Sequence, residues 1–231
     1  GLFELSMSTR DDPGMDQALK EIEKLVGKEH EVVHYCKAMR LVTDAATSEN
    51  GETQLAEARE HLKAIAEKRP GWHHPARLEA RICQMLDDRD GAIANLEKAL
   101  NLGPADAQTV ETLARLHFNR ADFAQTHKAI ARLGEARMPK GLRQLEAELA
   151  LVEAREKSAP PKQAADVTAA LIKDLEEDSQ ATTQDYLWQA WMLRELRQAD
   201  QAEGALRKAT EKNPNDPNVS LTLVQHLAEQ K

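Results

Sequence analysis

Ala92-Ile93-Ala94-Asn95-Leu96-Glu97-Lys98-Ala99-Leu100-Asn101-Leu102-Gly103-Pro104 decides the fold of this chain. Its small and apolar residues fall at Ala92, Leu96 and Ala99, spaced to share one helical face, and Pro104 stops the helix. Thirty-four residues earlier the same grid reads Ala58, Leu62, Ile65, Pro70. Thirty-four residues later it reads Thr126, Ile130, Leu133, with Met138 in the proline slot and Pro139 beside it. Near the C-terminus it returns as Ala202, Leu206, Ala209, Pro214. A fixed period of this length means a solenoid of helical hairpins, each unable to bury its apolar face alone.

The composition agrees. Ala, Leu, Glu, Lys, Arg and Gln dominate and aromatics make up 3% of the chain, which favours helix over strand. The net charge of −8 argues against a general nucleic-acid binder, because phosphate binding needs a basic face. It also disfavours an anionic lipid surface. No run of about 18 apolar residues exists, so no membrane insertion is expected. Gly1-Leu2-Phe3-Glu4 shows no basic region followed by an apolar core, which favours a cytoplasmic over a secreted setting. It also lacks an initiator Met, so a segment of a longer chain is expected. Cys36 and Cys83 make no disulfide framework and read as buried thiols on two first-of-hairpin helices.

The periodicity divides the chain as follows. Residues 1–14 are a lead-in, with Asp11-Asp12-Pro13-Gly14 as a turn signal. Residues 15–28 hold the second helix of an upstream partial repeat. Repeats then cover 29–72, 73–106, 107–138, 139–180 and 181–216, and 217–231 form a final capping or partial-repeat helix. The expected helices are 15–26, 29–47, 53–68, 75–86, 90–102, 106–119, 122–134, 139–156, 162–176, 183–196, 199–212 and 218–230. Asp90 and Asp122 stand where N-caps belong. From Thr126 to Ala202 is 76 residues, two periods plus eight, and the excess fits the longer helix at 139–156 with the Pro160-Pro161 connection.

The repeat resembles the tetratricopeptide (TPR) family. Ala92, Leu96, Ala99 and Pro104 match that family's second-helix slots, as do Ala202, Leu206, Ala209 and Pro214. Leu113-Ala114 fits the large-small pair of the first helix; Ala80 and Ala190 fill the small slot, while Glu79 and Gln189 depart from the large one. The resemblance covers residues 15–231 and implies an all-α, right-handed superhelical solenoid of antiparallel hairpins. The Arg69-Pro70-Gly71-Trp72 junction resembles the long repeat proteins of environmental bacteria.

Three groups of residues are candidates for function. His30-Glu31-Val32-Val33-His34 has the spacing of a zinc-hydrolase helix: two imidazoles on one face and a glutamate base. Against it, Gly27-Lys28-Glu29 puts His30 in a first turn behind charged residues, and no third ligand stands at a telling spacing. His73-His74 reads as a solvated pair at a helix start. No Gly-rich phosphate loop and no Gly-x-Ser-x-Gly elbow occur.

The resemblance implies that the first helices of the hairpins, the A helices, line a concave groove. Its ligand-facing slots carry over to His74, Arg77, Arg81 and Gln84 on one helix and to Gln108, Glu111, Arg115 and Asn119 on the next. Arg77 and Arg81, at i and i+4, share a face, and Arg115 follows Arg81 by one repeat. Three guanidinium groups on one surface suit a carboxylate. Tyr186, Trp188 and Trp191 concentrate three of the eight aromatics in six residues, so Trp188 and Trp191 are a further candidate anchor, or else packing between repeats. Tyr35 and Phe118 are open to the same two readings. The resulting expectation is a non-catalytic scaffold that binds a protein or peptide and needs no cofactor. The alternatives are a structural spacer within a larger repeat protein, and a zinc-dependent hydrolase using His30, Glu31 and His34.

Overall fold

The computed structural model describes residues 9, 11–134 and 138–230. They form twelve helices: α1 (Asp12–Val26), α2 (Glu31–Ala45), α3 (Gly51–Lys68), α4 (His73–Met85), α5 (Arg89–Leu102), α6 (Ala107–Asn119), α7 (Phe123–Ala131), α8 (Lys140–Glu156), α9 (Lys162–Glu177), α10 (Thr183–Glu195), α11 (Ala199–Lys212) and α12 (Pro217–Glu229). The chain divides into two compact units, Gly1–Leu133 and Gly134–Lys231. Within the first, α2 packs with α3, α4 with α5 and α6 with α7; within the second, α8 packs with α9 and α10 with α11.

The repeated grid is the core. In the first unit Ala58, Leu62, Ile65, Ala92, Leu96, Ala99, Thr126 and Ile130 are buried, and in the second Ala202, Leu206 and Ala209 are. Alanine at the crossing points lets the two helices of a hairpin approach closely, and the large residue between fills the gap. A cluster of Ala38, Val42, Ala45, Leu55, Ala58, Leu62, Ile65, Leu78 and Ile82 joins α2, α3 and α4. Cys36 and Cys83 are free and buried.

Among the helix boundaries that depart from the sequence reading, three have a clear capping reason. Asp11-Asp12-Pro13-Gly14 is a helix start rather than a turn: the Asp11 side chain accepts from the Gly14 N–H at 3.1 Å, and Pro13 sits in the first turn, where its missing N–H costs nothing. Asp88, not Asp90, caps α5, accepting from the Gly91 N–H at 2.9 Å; Asp90 lies in the first turn instead. Helix α7 stops at Ala131, and Gly134 turns away at φ +67, so Leu133 lies past the helix end and is only half-buried. Asp122 caps α7 as expected, accepting from the Gln125 N–H at 3.2 Å.

The turns inside four hairpins share one device that the periodicity did not show. Asp87, Ala121, Ser158 and Arg197 all have positive φ, at 55°, 57°, 50° and 60°. The next residue's N–H reaches back five positions in each: Asp88 to Cys83 O, Asp122 to His117 O, Ala159 to Ala154 O and Gln198 to Leu193 O, at 2.8–3.0 Å. These are Schellman-type ends, built on left-handed residues other than glycine.

Candidate functional site

In the first unit the A helices are α2, α4 and α6. On α4, Arg77 and His74 are half-buried, whereas Arg81 and Gln84 are exposed. On α6, Gln108, Glu111 and Arg115 are half-buried or exposed and Asn119 is exposed. The arginines differ in their partners. Arg77 Nη2 lies 3.6 Å from Asp106, which caps α6 by accepting from the Thr109 N–H at 3.0 Å. Burial raises the Asp106 pKa, but its hydrogen bonds to Thr109 and the nearby Arg77 charge outweigh that and hold the carboxyl below its usual range. Arg115 Nε lies 3.3 Å from Glu111 on its own helix. Arg81 has no acid partner among the described residues.

Next to this face lies an aromatic cluster that the sequence reading missed, apart from Tyr35 and His74 as single candidates. Tyr35 on α2 packs at 5.0 Å between ring centroids on Trp72, and both approach His74, at 5.8 and 5.7 Å. Arg69 stacks over the Trp72 ring at 5.2 Å. The residues come from 35, 69, 72 and 74, so only the turn of the chain at Pro70-Gly71 and the α2–α4 contact bring them together.

The His30–His34 motif does not assemble as a metal helix. His30 is the N-cap of α2: its Nδ1 accepts from the Val32 N–H at 3.2 Å. Glu31 faces Arg69 and His30 at 3.8 and 3.7 Å. His34 turns instead to His61 on α3, with the two Nδ1 atoms 2.9 Å apart. Among the described residues no group of three His, Cys, Asp or Glu side chains is arranged for a metal. The buried Cys83 thiol is pushed up by burial and by Glu79 and Asp88, against the opposing effect of Arg59, so it is not poised as a nucleophile.

In the second unit the two tryptophans separate. Trp188 is half-buried against Ala147, Ala150, Leu151, Ala164 and Met192, and its Nε1 donates to Glu148 Oε1 at 2.8 Å. Trp191, three residues on, is 43% exposed. Packing accounts for the first ring and not for the second. An open hollow of about 500 Å³ lined by Glu176, Tyr186, Lys208, Glu211 and Lys212 lies in the same unit. Its charges offset one another, with Lys208 at 3.4 Å from Glu176. No described helix is long and apolar enough to cross a membrane.

No protein-family model matches the sequence, and no curated protein matches it. Among solved structures, the chain is similar to one in the crystal structure of the APC/C hetero-tetramer Cut9–Hcn1, with TM-score 0.64 and 14% identity over 99% of this chain and 42% of that chain. It thus spans less than half of that chain. It is also similar to a tetratricopeptide repeat protein from Parabacteroides merdae, with TM-score 0.51 and 11% identity over 97% of this chain and 96% of that one. Taken with the hairpins and the buried 34-residue grid, these likenesses show that the chain has a tetratricopeptide-like helical-repeat fold.

Proposed function

We propose that the chain is a non-catalytic protein-interaction scaffold that takes an acidic peptide along the A-helix face of its first unit. The observation that carries this reading is Arg81: an exposed guanidinium on α4 without an acid partner among the described residues, on a helix whose other groove arginine is engaged by Asp106. A free planar fork of donors suits a carboxylate, which it pairs bidentately. The aromatic cluster at Tyr35, Trp72 and His74 supplies rigid apolar area beside it. Arg81, Tyr35 and His74 lie on packed helices and Trp72 packs against the same core at the start of α4, so little ordering entropy of the scaffold opposes binding.

A displayed library of random peptides tests this. Selection on the wild-type chain should enrich Asp and Glu, and synthetic winners should bind by fluorescence polarisation with an affinity that falls as salt rises. Arg81→Glu should abolish that enrichment while Arg132→Glu should not. Enrichment without acidic residues, or acidic peptides bound equally by Arg81→Glu, would sink the proposal. A second reading, a structural segment of a larger assembly, is favoured by Leu221 and Val224, which stand 54% and 60% exposed on α12.

A further inference from the structure

His34 on α2 and His61 on α3 meet across the first hairpin of the first unit. Their Nδ1 atoms are 2.9 Å apart, and the rings tilt at 51° with centroids 5.1 Å apart. Two imidazole nitrogens can bond in this way only if one carries a proton and the other does not. That bond leaves the opposite side of His34 unexplained: its Nε2 is buried with no hydrogen-bond partner, and Glu29 Oε2 stands 3.6 Å from it.

We propose that His34 and His61 form a two-imidazole site for a divalent transition-metal ion of the zinc type, clamping α2 to α3. Two nitrogens each about 2.1 Å from one ion lie roughly 2.9–3.4 Å apart, so the observed spacing needs little adjustment. The ion replaces the shared proton and sits off the line between the nitrogens. Ligation through Nδ1 fixes His34 as the Nε2–H tautomer, and that N–H then faces the Glu29 carboxylate. Metal-binding histidines are ordinarily held by such an outer carboxylate, which gives the buried Nε2 a role. Burial, followed by the neighbouring His34 and Lys37, holds the His61 pKa below its usual range against the opposing charges of Glu57 and Glu29. Since no third side chain completes a ligand set among the described residues, water fills the remaining positions. Imidazole donors favour Zn²⁺, Ni²⁺ and Cu²⁺ over Mg²⁺ and Ca²⁺. His30 is excluded from the site by its capping bond.

Calorimetric titration of the metal-free full chain with zinc chloride tests the site. One equivalent should bind, roughly tenfold or more weaker in His34→Gln and in His61→Gln and unchanged in His30→Gln. Zinc should also raise the melting temperature of the wild type and of His30→Gln, but not of the other two variants. Melting each variant without metal first separates a folding defect from a lost ligand. Cobalt absorption of the wild type gives a second readout, which stoichiometric zinc should displace. The site is overturned if zinc does not saturate the wild type below millimolar concentration. It is equally overturned if the His34→Gln/His61→Gln double variant keeps the binding, which would place the ion elsewhere, for example at His73 and His74.

Discussion

Trp188 Nε1 donates to Glu148 Oε1 across 2.8 Å, tying helix α10 to helix α8 in the second unit. The same two helices are joined near their starts by Lys140 and Asp185 and near their ends by Arg155 and Glu195. Trp188 therefore serves the register of neighbouring A helices. Trp188→Ala should destabilise the second unit by about 2–3 kcal/mol, the cost of truncating a large, half-buried ring and leaving Glu148 without its donor. Trp191→Ala, at an exposed position, should stay within about 0.5 kcal/mol. Chemical denaturation of both variants measures the difference; equal losses would mean that Trp191 also packs.

Asp185 carries the acid sensitivity of that joint. It is buried, closes a capping box with Thr182, and receives Lys140 Nζ at 2.7 Å. Burial raises its pKa, but the bonds from Lys140 and Thr182 outweigh it and hold the carboxyl below its usual range. A carboxyl with a depressed folded-state pKa contributes stability above its unfolded value, near 3.9, and loses it as pH falls through the folded value. The wild type should thus lose stability below about pH 4 in part through this group. Asp185→Asn should be less stable at neutral pH by about 1–2 kcal/mol and should flatten the fall below pH 4. Melting temperatures of both proteins from about pH 2 to about pH 7, which spans both sides of the ordinary carboxyl value, test this, and parallel curves would assign the acid response to other carboxyls.

The left-handed turn residues offer a stabilising change. Ala121 holds φ +57 between α6 and α7, a conformation that costs a residue with a Cβ roughly 1 kcal/mol. Ala121→Gly relieves that and adds some unfolded-state entropy, so a net gain of about 0.5 kcal/mol is expected. Asp87→Gly should gain less, because aspartate tolerates this region better. The midpoint of urea unfolding decides it; a lower midpoint for Ala121→Gly would show that the unfolded-state effect dominates.

The sequence foretold the core and the helix count because both follow from one spacing rule. Ala92, Leu96 and Ala99 are small, large and small at helical intervals, and a 34-residue repeat of that pattern admits few arrangements. Cap positions were harder: Asp88 and Asp90 are two residues apart, and only backbone geometry decides which accepts from Gly91. The αL turns were hidden because none of the four uses glycine, the residue that announces them. The candidate surfaces were least legible. The meeting of His34 with His61 spans 27 residues and the joining of Trp188 to Glu148 spans 40, and both depend on which helices become neighbours. HEVVH looked like a metal motif because two histidines share a helix face, yet the first histidine is used by its own helix N-terminus.

Arg77 and Arg81 look equivalent in sequence and should not behave alike. Arg77 sits 3.6 Å from Asp106, the cap of α6, so Arg77→Glu places two like charges at a helix N-terminus where Asp106 must also accept from Thr109. A loss of about 0.5–1 kcal/mol is expected, reduced by solvent screening and by salt. Arg81 is exposed with no acid partner among the described residues, so Arg81→Glu should leave the melting temperature unchanged. Thermal melts at low and at about 0.5 M salt separate the two: the Arg77→Glu deficit should shrink as the Debye length falls, whereas Arg81→Glu should show none to shrink. A deficit in Arg81→Glu would reveal an internal electrostatic role for that guanidinium and remove the reason for reading it as a ligand contact.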